Sequence, residues 1–167
     1  MNAIQFIKEN GFDKAREVVE GAPEGSTCYV FWTGKFRYIN ELTCEIYSEK
    51  LGGWCEANIM VLNLKNPLSE LKRLVESVDV VKQLDFWGRA DVGIKKAKEV
   101  IKNNTLQASY YQPSSGCYYR YGRNSLYIVR DGEWREIYGG MDSNTLIHTD
   151  SQKQAIADYE SIGGEHV

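Results

Sequence analysis

Apolar residues recur along this chain in two alternating rhythms, helical and stranded, and the same order of rhythms is run through twice. Ile4, Phe6 and Ile7 share one face of a short helix over Asn2–Asn10, ended by Gly11. Ala15, Val18 and Val19 stand at i, i+3 and i+4 and predict a second helix, Phe12–Glu20. Gly21-Ala22-Pro23-Glu24-Gly25 breaks it, because proline lacks an N–H and glycine extends a helix poorly. The chain then turns β-branched and aromatic. Cys28–Trp32, Phe36–Ile39, Thr43–Ser48 and Trp54–Leu62 read as strands of a small antiparallel meander, with turns at Thr33-Gly34-Lys35 and Leu51-Gly52-Gly53. Asn66-Pro67 reads as a helix cap followed by proline at the first helical position. The apolar stripe Leu68, Leu71, Leu74, Val75, Val78 and Val81 carries that helix towards Leu84.

After a short aromatic break at Asp85–Asp91, Val92–Asn103 predicts a further helix. Strands follow at Ala108–Gln112, Gly116–Tyr121, Leu126–Arg130 and Glu133–Tyr138. Asp131-Gly132 is the pair that a type I′ hairpin prefers, and it fixes a register with Val129 opposite Trp134 and Ile128 opposite Arg135. Gly139–Asn144 reads as loop. Asp150 or Ser151 caps a last helix with Ala155, Ile156 and Tyr159 on one side.

The recurrence is also literal. Gly11-Phe12-Asp13-Lys14-Ala15-Arg16-Glu17-Val18-Val19-Glu20 returns as Gly93-Ile94-Lys95-Lys96-Ala97-Lys98-Glu99-Val100-Ile101-Lys102, an offset of 93 − 11 = 82, and Trp54 and Trp134 lie 134 − 54 = 80 apart. The sequence therefore predicts an α+β fold, a tandem duplication of a helix–antiparallel β-meander–helix unit. Residues 1–79 form the first copy and residues 80–167 the second, with the two packed together. No Gly/Ser- or Pro-rich tether separates them.

Composition narrows the function. The net charge of −3 argues against bulk binding to a phosphate backbone. Cys28, Cys44, Cys55 and Cys117 are scattered and form no C-x-x-C, and with His148 and His166 they give no zinc spacing, so no metal or cofactor is expected. The amphipathic opening is unlike a signal peptide, and no apolar run reaches the length of a membrane span. Both point to a cytoplasmic protein that makes no contact with membrane.

The chain lacks G-x-x-x-x-G-K, G-x-G-x-x-G, H-E-x-x-H and G-x-S-x-G, and no catalytic residue is expected. One constellation remains, aromatic and basic: Tyr118, Arg120, Tyr121 and Arg123, followed across the meander by Trp134 and Arg135. Tyrosine offers contact area at low entropic cost and arginine binds phosphate or carboxylate bidentately, so such a face stacks bases or cradles a nucleotide. The same pattern arises where one side of a sheet packs on helices and the other meets water.

The stretches Ile4–Gly11, Lys14–Val19 with Ala22–Gly25, Leu68–Ser77 and Lys153–Glu160 together resemble the small accessory proteins of the early regions of lambda-like phages and prophages of enteric bacteria. The resemblance covers the helical segments and carries no catalytic residue. It implies a phage- or prophage-derived protein in the cytoplasm of a bacterial host, binding a host protein, including one of anti-phage defence, and inhibiting or modulating it. The alternative from the residues themselves is a module that sequesters a nucleotide or binds nucleic acid through the Tyr/Arg face.

Overall fold

The computed structural model describes residues 2–32, 34–84, 93–95, 97–99, 110–113, 117–121, 126–130, 133–137 and 147–164. The protein is α+β, with two antiparallel five-stranded sheets and flanking helices. It divides into two compact units, Met1–Glu76 with Ser161–Val167, and Ser77–Glu160.

In the first unit, α1 (Ala3–Asn10) is capped by the Asn2 side chain, which accepts from the Gln5 N–H at 2.8 Å. α1 stops at Gly11, whose φ of 84° a residue with a Cβ adopts only under strain, and α2 (Phe12–Glu20) begins at once. Four strands follow, β1 (Cys28–Trp32), β2 (Lys35–Asn40), β3 (Glu45–Ser48) and β4 (Gly53–Glu56). A fifth, β5 (Asn66–Pro67), joins the outer side of β1, giving the order β4-β3-β2-β1-β5. Alternation along the strands splits the apolar residues between two faces. Tyr29 meets Phe6 of α1 edge-on at 5.5 Å, and Phe36 meets Phe6 at 5.4 Å, while the Tyr38 hydroxyl donates to the Val18 carbonyl of α2 at 2.9 Å. On the opposite face Cys28, Val30 and Ile39 form a cluster with Val61.

Two expectations fail here. Trp54–Leu62 is not one strand: β4 ends at Glu56, and Ile59–Leu62 forms a single helical turn, α3. The Asn58 side chain accepts from the Met60 N–H at 2.9 Å and so opens that turn, which dips Val61 onto the sheet and leaves Ile59 and Met60 outside. Asn66-Pro67 does not open the long helix. Asn66 pairs with Tyr29 and Pro67 with Cys28, a place where the missing proline N–H costs no ladder bond because the strand is at a sheet edge. The helix α4 (Leu68–Lys82) starts one residue later, its Leu68 N–H bonded to the Thr27 carbonyl at 2.9 Å. Its expected stripe is buried at Leu68, Leu71, Leu74, Val75, Val78 and Val81.

In the second unit Gly93–Lys95 and Ala97–Glu99 are helical, and the rest of the expected Val92–Asn103 helix lies outside the described residues. Gly93 is glycine for a reason unlike that of Gly11: a Cβ there would overlap the Leu84 carbonyl. β6 (Tyr110–Gln112), β7 (Cys117–Tyr121), β8 (Leu126–Arg130), β9 (Glu133–Ile137) and β10 (Ile147–His148) form a sheet in the order β10-β6-β7-β8-β9. β10, only two residues long, is too short to show a strand period in the sequence. It leads into α5 (Thr149–Ser161), which begins just ahead of the expected caps. The break at Asp85–Asp91, the Asp131-Gly132 turn and the Gly139–Asn144 loop lie outside the described residues. Val129 nevertheless faces Trp134, and Ile128 faces Arg135, in the register that the turn predicts. The core of this unit joins Val81, Leu84, Ala97, Tyr111, Tyr118, Ala155 and Ile156.

Candidate functional site

The described members of the Tyr/Arg constellation lie on β7 and β9, and strand alternation distributes them over both sides of the sheet. Arg120 pairs with Tyr127, and Val129 pairs with Trp134. The Arg120 guanidinium sits 4.5 Å from the centre of the Trp134 ring and 5.2 Å from that of Tyr127, so both aromatic faces already hold a cation. Each such contact contributes about 0.5–1 kcal/mol at exposed sites and more when desolvated. Tyr118 is 2% exposed, its ring tilted against Tyr111 at 5.0 Å in the helix-facing core. Arg135 is exposed and pairs with Ile128, whose cluster with Tyr119 and Leu126 belongs to the other face. Tyr121 pairs with Leu126, and Arg123 lies outside the described residues. The fold thus brings Arg120 and Trp134 together, buries Tyr118 and turns Arg135 away from them.

Behind Tyr118 lies a residue that sequence reading passed over. Gln152 of α5 is fully buried, and neither its amide nitrogen nor its amide oxygen has a hydrogen-bond partner; the Tyr118 hydroxyl has none either. Burial pushes the Tyr118 phenol up to about 12. The facing Gln152 amide opposes part of that shift, at a geometry short of a hydrogen bond, and Tyr111 adds to it. A polar residue one turn into an otherwise amphipathic helix is the only signal the sequence offered. Deeper in α5, Asp158 is satisfied: it accepts from Ser77 Oγ at 2.8 Å and from Gln154 Nε2 at 3.0 Å.

The first unit carries a different kind of surface. Phe31, Leu42, Leu51, Ile59, Met60 and Leu64 are the large apolar side chains left exposed among the described residues, and all six belong to this unit. Three of them fall in and just after α3. Beside the α3-covered core, Lys65 Nζ lies 2.7 Å from Glu41 Oε1, and Cys28 Sγ donates to Glu41 Oε2 at 3.6 Å. The Lys65 ammonium and the Cys28 thiol hold the Glu41 carboxyl below its usual range. Burial pushes the Cys28 thiol up, with the Thr27 hydroxyl opposing, so it is a poor thiolate and a weak nucleophile.

His148 is half exposed, sits edge-on to Tyr110 at 5.4 Å, and its Nδ1 accepts from the Asp150 N–H at 3.3 Å. That is a cap at the start of α5. Among the described residues no group of three His, Cys, Asp or Glu side chains is placed to hold a metal ion, and no helix is long and apolar enough to cross a membrane. No family model matches the chain, and no curated protein or solved structure matches it either.

Proposed function

We propose that the chain is a non-enzymatic accessory protein of phage type that binds a host protein and modulates it, through the meander of its first unit. The observation that carries this reading is the exposed apolar stretch at α3, where Ile59 is 72%, Met60 62% and Leu64 51% exposed within six residues. Apolar side chains gathered in this way on a surface mark sites of protein contact. Nucleotide or nucleic-acid binding through the Tyr/Arg face has less in its favour, since Arg120 is stacked between its own aromatic neighbours and Arg135 lies on the other side of the sheet.

The same reading takes the chain as a tandem duplication. The sheets have corresponding strand orders, β4-β3-β2-β1-β5 and β9-β8-β7-β6-β10, each closed by a two-residue strand leading into a helix. Tyr29 faces Tyr38 as Tyr111 faces Tyr118, at offsets of 111 − 29 = 82 and 118 − 38 = 80. Tyr47 faces Trp54 as Val129 faces Trp134. Buried Leu71, Leu74, Val75 and Ser77 of α4 correspond to buried Gln152, Ala155, Ile156 and Asp158 of α5 at an offset of 152 − 71 = 81. Among the described residues the large exposed apolar side chains fall in one copy, which fits a division of labour between a scaffold and a working meander.

Affinity capture from bacterial lysate, with the wild-type chain and an Ile59→Asp/Met60→Asp variant side by side, tests the reading. Both positions point outward, so the variant keeps its fold. A partner held by the wild type and lost from the variant is the expected result. Capture unchanged by the two substitutions, or no partner at micromolar bait, refutes it.

A further inference from the structure

β2 pairs with β1 along its length, from Cys28↔Ile39 to Trp32↔Lys35, but with β3 at only two positions, Ile39↔Ile46 and Asn40↔Glu45. β3 continues past that point and pairs with β4 at Tyr47↔Trp54 and Ser48↔Gly53. The β3–β4 hairpin therefore peels away from β2 beyond Ile39 and Ile46. An open cleft of about 670 Å³ lies in the wedge, with residues 35–38 along one wall and 47–50 along the other. That volume is within the range of about 300–1,000 Å³ common for ligand sites.

Three features define what such a cleft recognises. One wall is the edge of β2 over Lys35–Tyr38, which has no strand partner on the cleft side; the other is the end of β3 at Tyr47 and Ser48 running into the turn residues Glu49 and Lys50, and Gly21 and Pro23 close the cleft beside them. Its charge is lopsided: Lys35, Arg37 and Lys50 stand against Glu49, and none of the three cations makes an ion pair among the described residues. The Arg37 Nε is buried without an acceptor. Its aromatic lining is fixed, since Tyr38 is bonded to the Val18 carbonyl and Tyr47 packs edge-on to Trp54 at 5.5 Å.

We propose that this cleft takes an extended acidic segment of the protein partner, laid in as a strand between β2 and β3. A peptide backbone supplies alternating donors and acceptors at the strand repeat, the group that matches the open edge of β2 and the end of β3 facing it. Four residues at roughly 3.3 Å each span the β2 wall from Lys35 to Tyr38. Carboxylate side chains answer the excess of cations, with arginine able to grip one bidentately. The proposal rests on the protein-binding reading and names the chemistry of the partner.

The test uses the full chain and a fluorescent, end-blocked hexapeptide alternating valine and glutamate, with a valine–lysine hexapeptide as control. The expected result is at least ten-fold tighter binding of the glutamate peptide, weakened by salt, and a reversed preference in a Lys35→Glu/Lys50→Glu variant whose thermal unfolding is unchanged. N-methylation of alternate peptide nitrogens should abolish binding. Equal binding of the two peptides, binding of neither, or undiminished binding of the N-methylated peptide would overturn the proposal. So would competition by inorganic phosphate or a nucleotide as strong as by the peptide. Partner capture that survives the Lys35→Glu/Lys50→Glu change but is lost in Ile59→Asp/Met60→Asp removes the acidic strand while leaving the protein-binding reading intact. Loss of capture in neither variant removes both.

Discussion

Replacing Gln152 with leucine should make the protein more stable. Gln152 is 0% exposed, and its amide nitrogen and oxygen are both buried without a partner, next to an equally unpartnered Tyr118 hydroxyl. An amide buried this way costs about 1–3 kcal/mol relative to its hydrated state, judged from protein mutants. Leucine has similar length, adds apolar contact to a core of Tyr118, Ala155 and Ile156, and has no polar atom to strand. Gln152→Leu should therefore stabilise by about 1–3 kcal/mol, equivalent to roughly 2–4 °C of Tm for each kcal/mol in a chain of this size. Urea unfolding followed by fluorescence should show a higher midpoint with the slope unchanged. A second readout is the titration of Tyr118, whose phenol should move further upward once the opposing amide is gone. A variant destabilised by more than about 1 kcal/mol would refute the reasoning, because it would mean that the amide is satisfied in solution, for instance by an internal water bridging to Tyr118.

Two further outcomes follow from burial. Tyr29 and Tyr118 are each raised from 10.0 to about 12, in both cases chiefly by burial, with Glu70 adding to the shift at Tyr29. The folded state holds both phenols neutral, so their contribution is complete below pH 10 and disappears as pH rises to 12; at 1.36 kcal/mol per unit this is about 2.7 kcal/mol for each. Burial pushes the Tyr38 and Tyr111 phenols up as well, so urea midpoints measured across pH 10–12 should fall steeply and Tyr29→Phe should remove part of that slope, less than half; a flat profile would contradict the burial of these rings. Leu71→Ala, at a position 0% exposed, should cost about 2–5 kcal/mol, whereas Leu42→Ala, at 88% exposed, should change stability by less than about 0.5 kcal/mol in equilibrium unfolding.

Where local chemistry decides, the sequence by itself was enough. Asn2 and Gly11 delimit α1, the six-residue stripe of α4 is buried as its period requires, and the register of β8 on β9 follows from a two-residue turn. Each depends on residues within a few positions of one another, where capping, helical period and turn geometry act directly. What needed tertiary structure was whatever depends on a distant partner. Ile59–Leu62 is as apolar as a strand, and only the reach of Val61 to Cys28, Val30 and Ile39 shows that it turns as a helix and leaves Ile59 and Met60 outside. Asn66-Pro67 and Ile147-His148 are strands because Tyr29 and Tyr111 offer them an edge, and two residues are too few to carry a period. The Tyr/Arg constellation was legible as composition, but alternation and helix packing separated Arg120 from Arg135 and buried Tyr118. The wedge between β2 and β3 left no trace in the sequence, because it exists only where two strands that share a turn choose different partners beyond it.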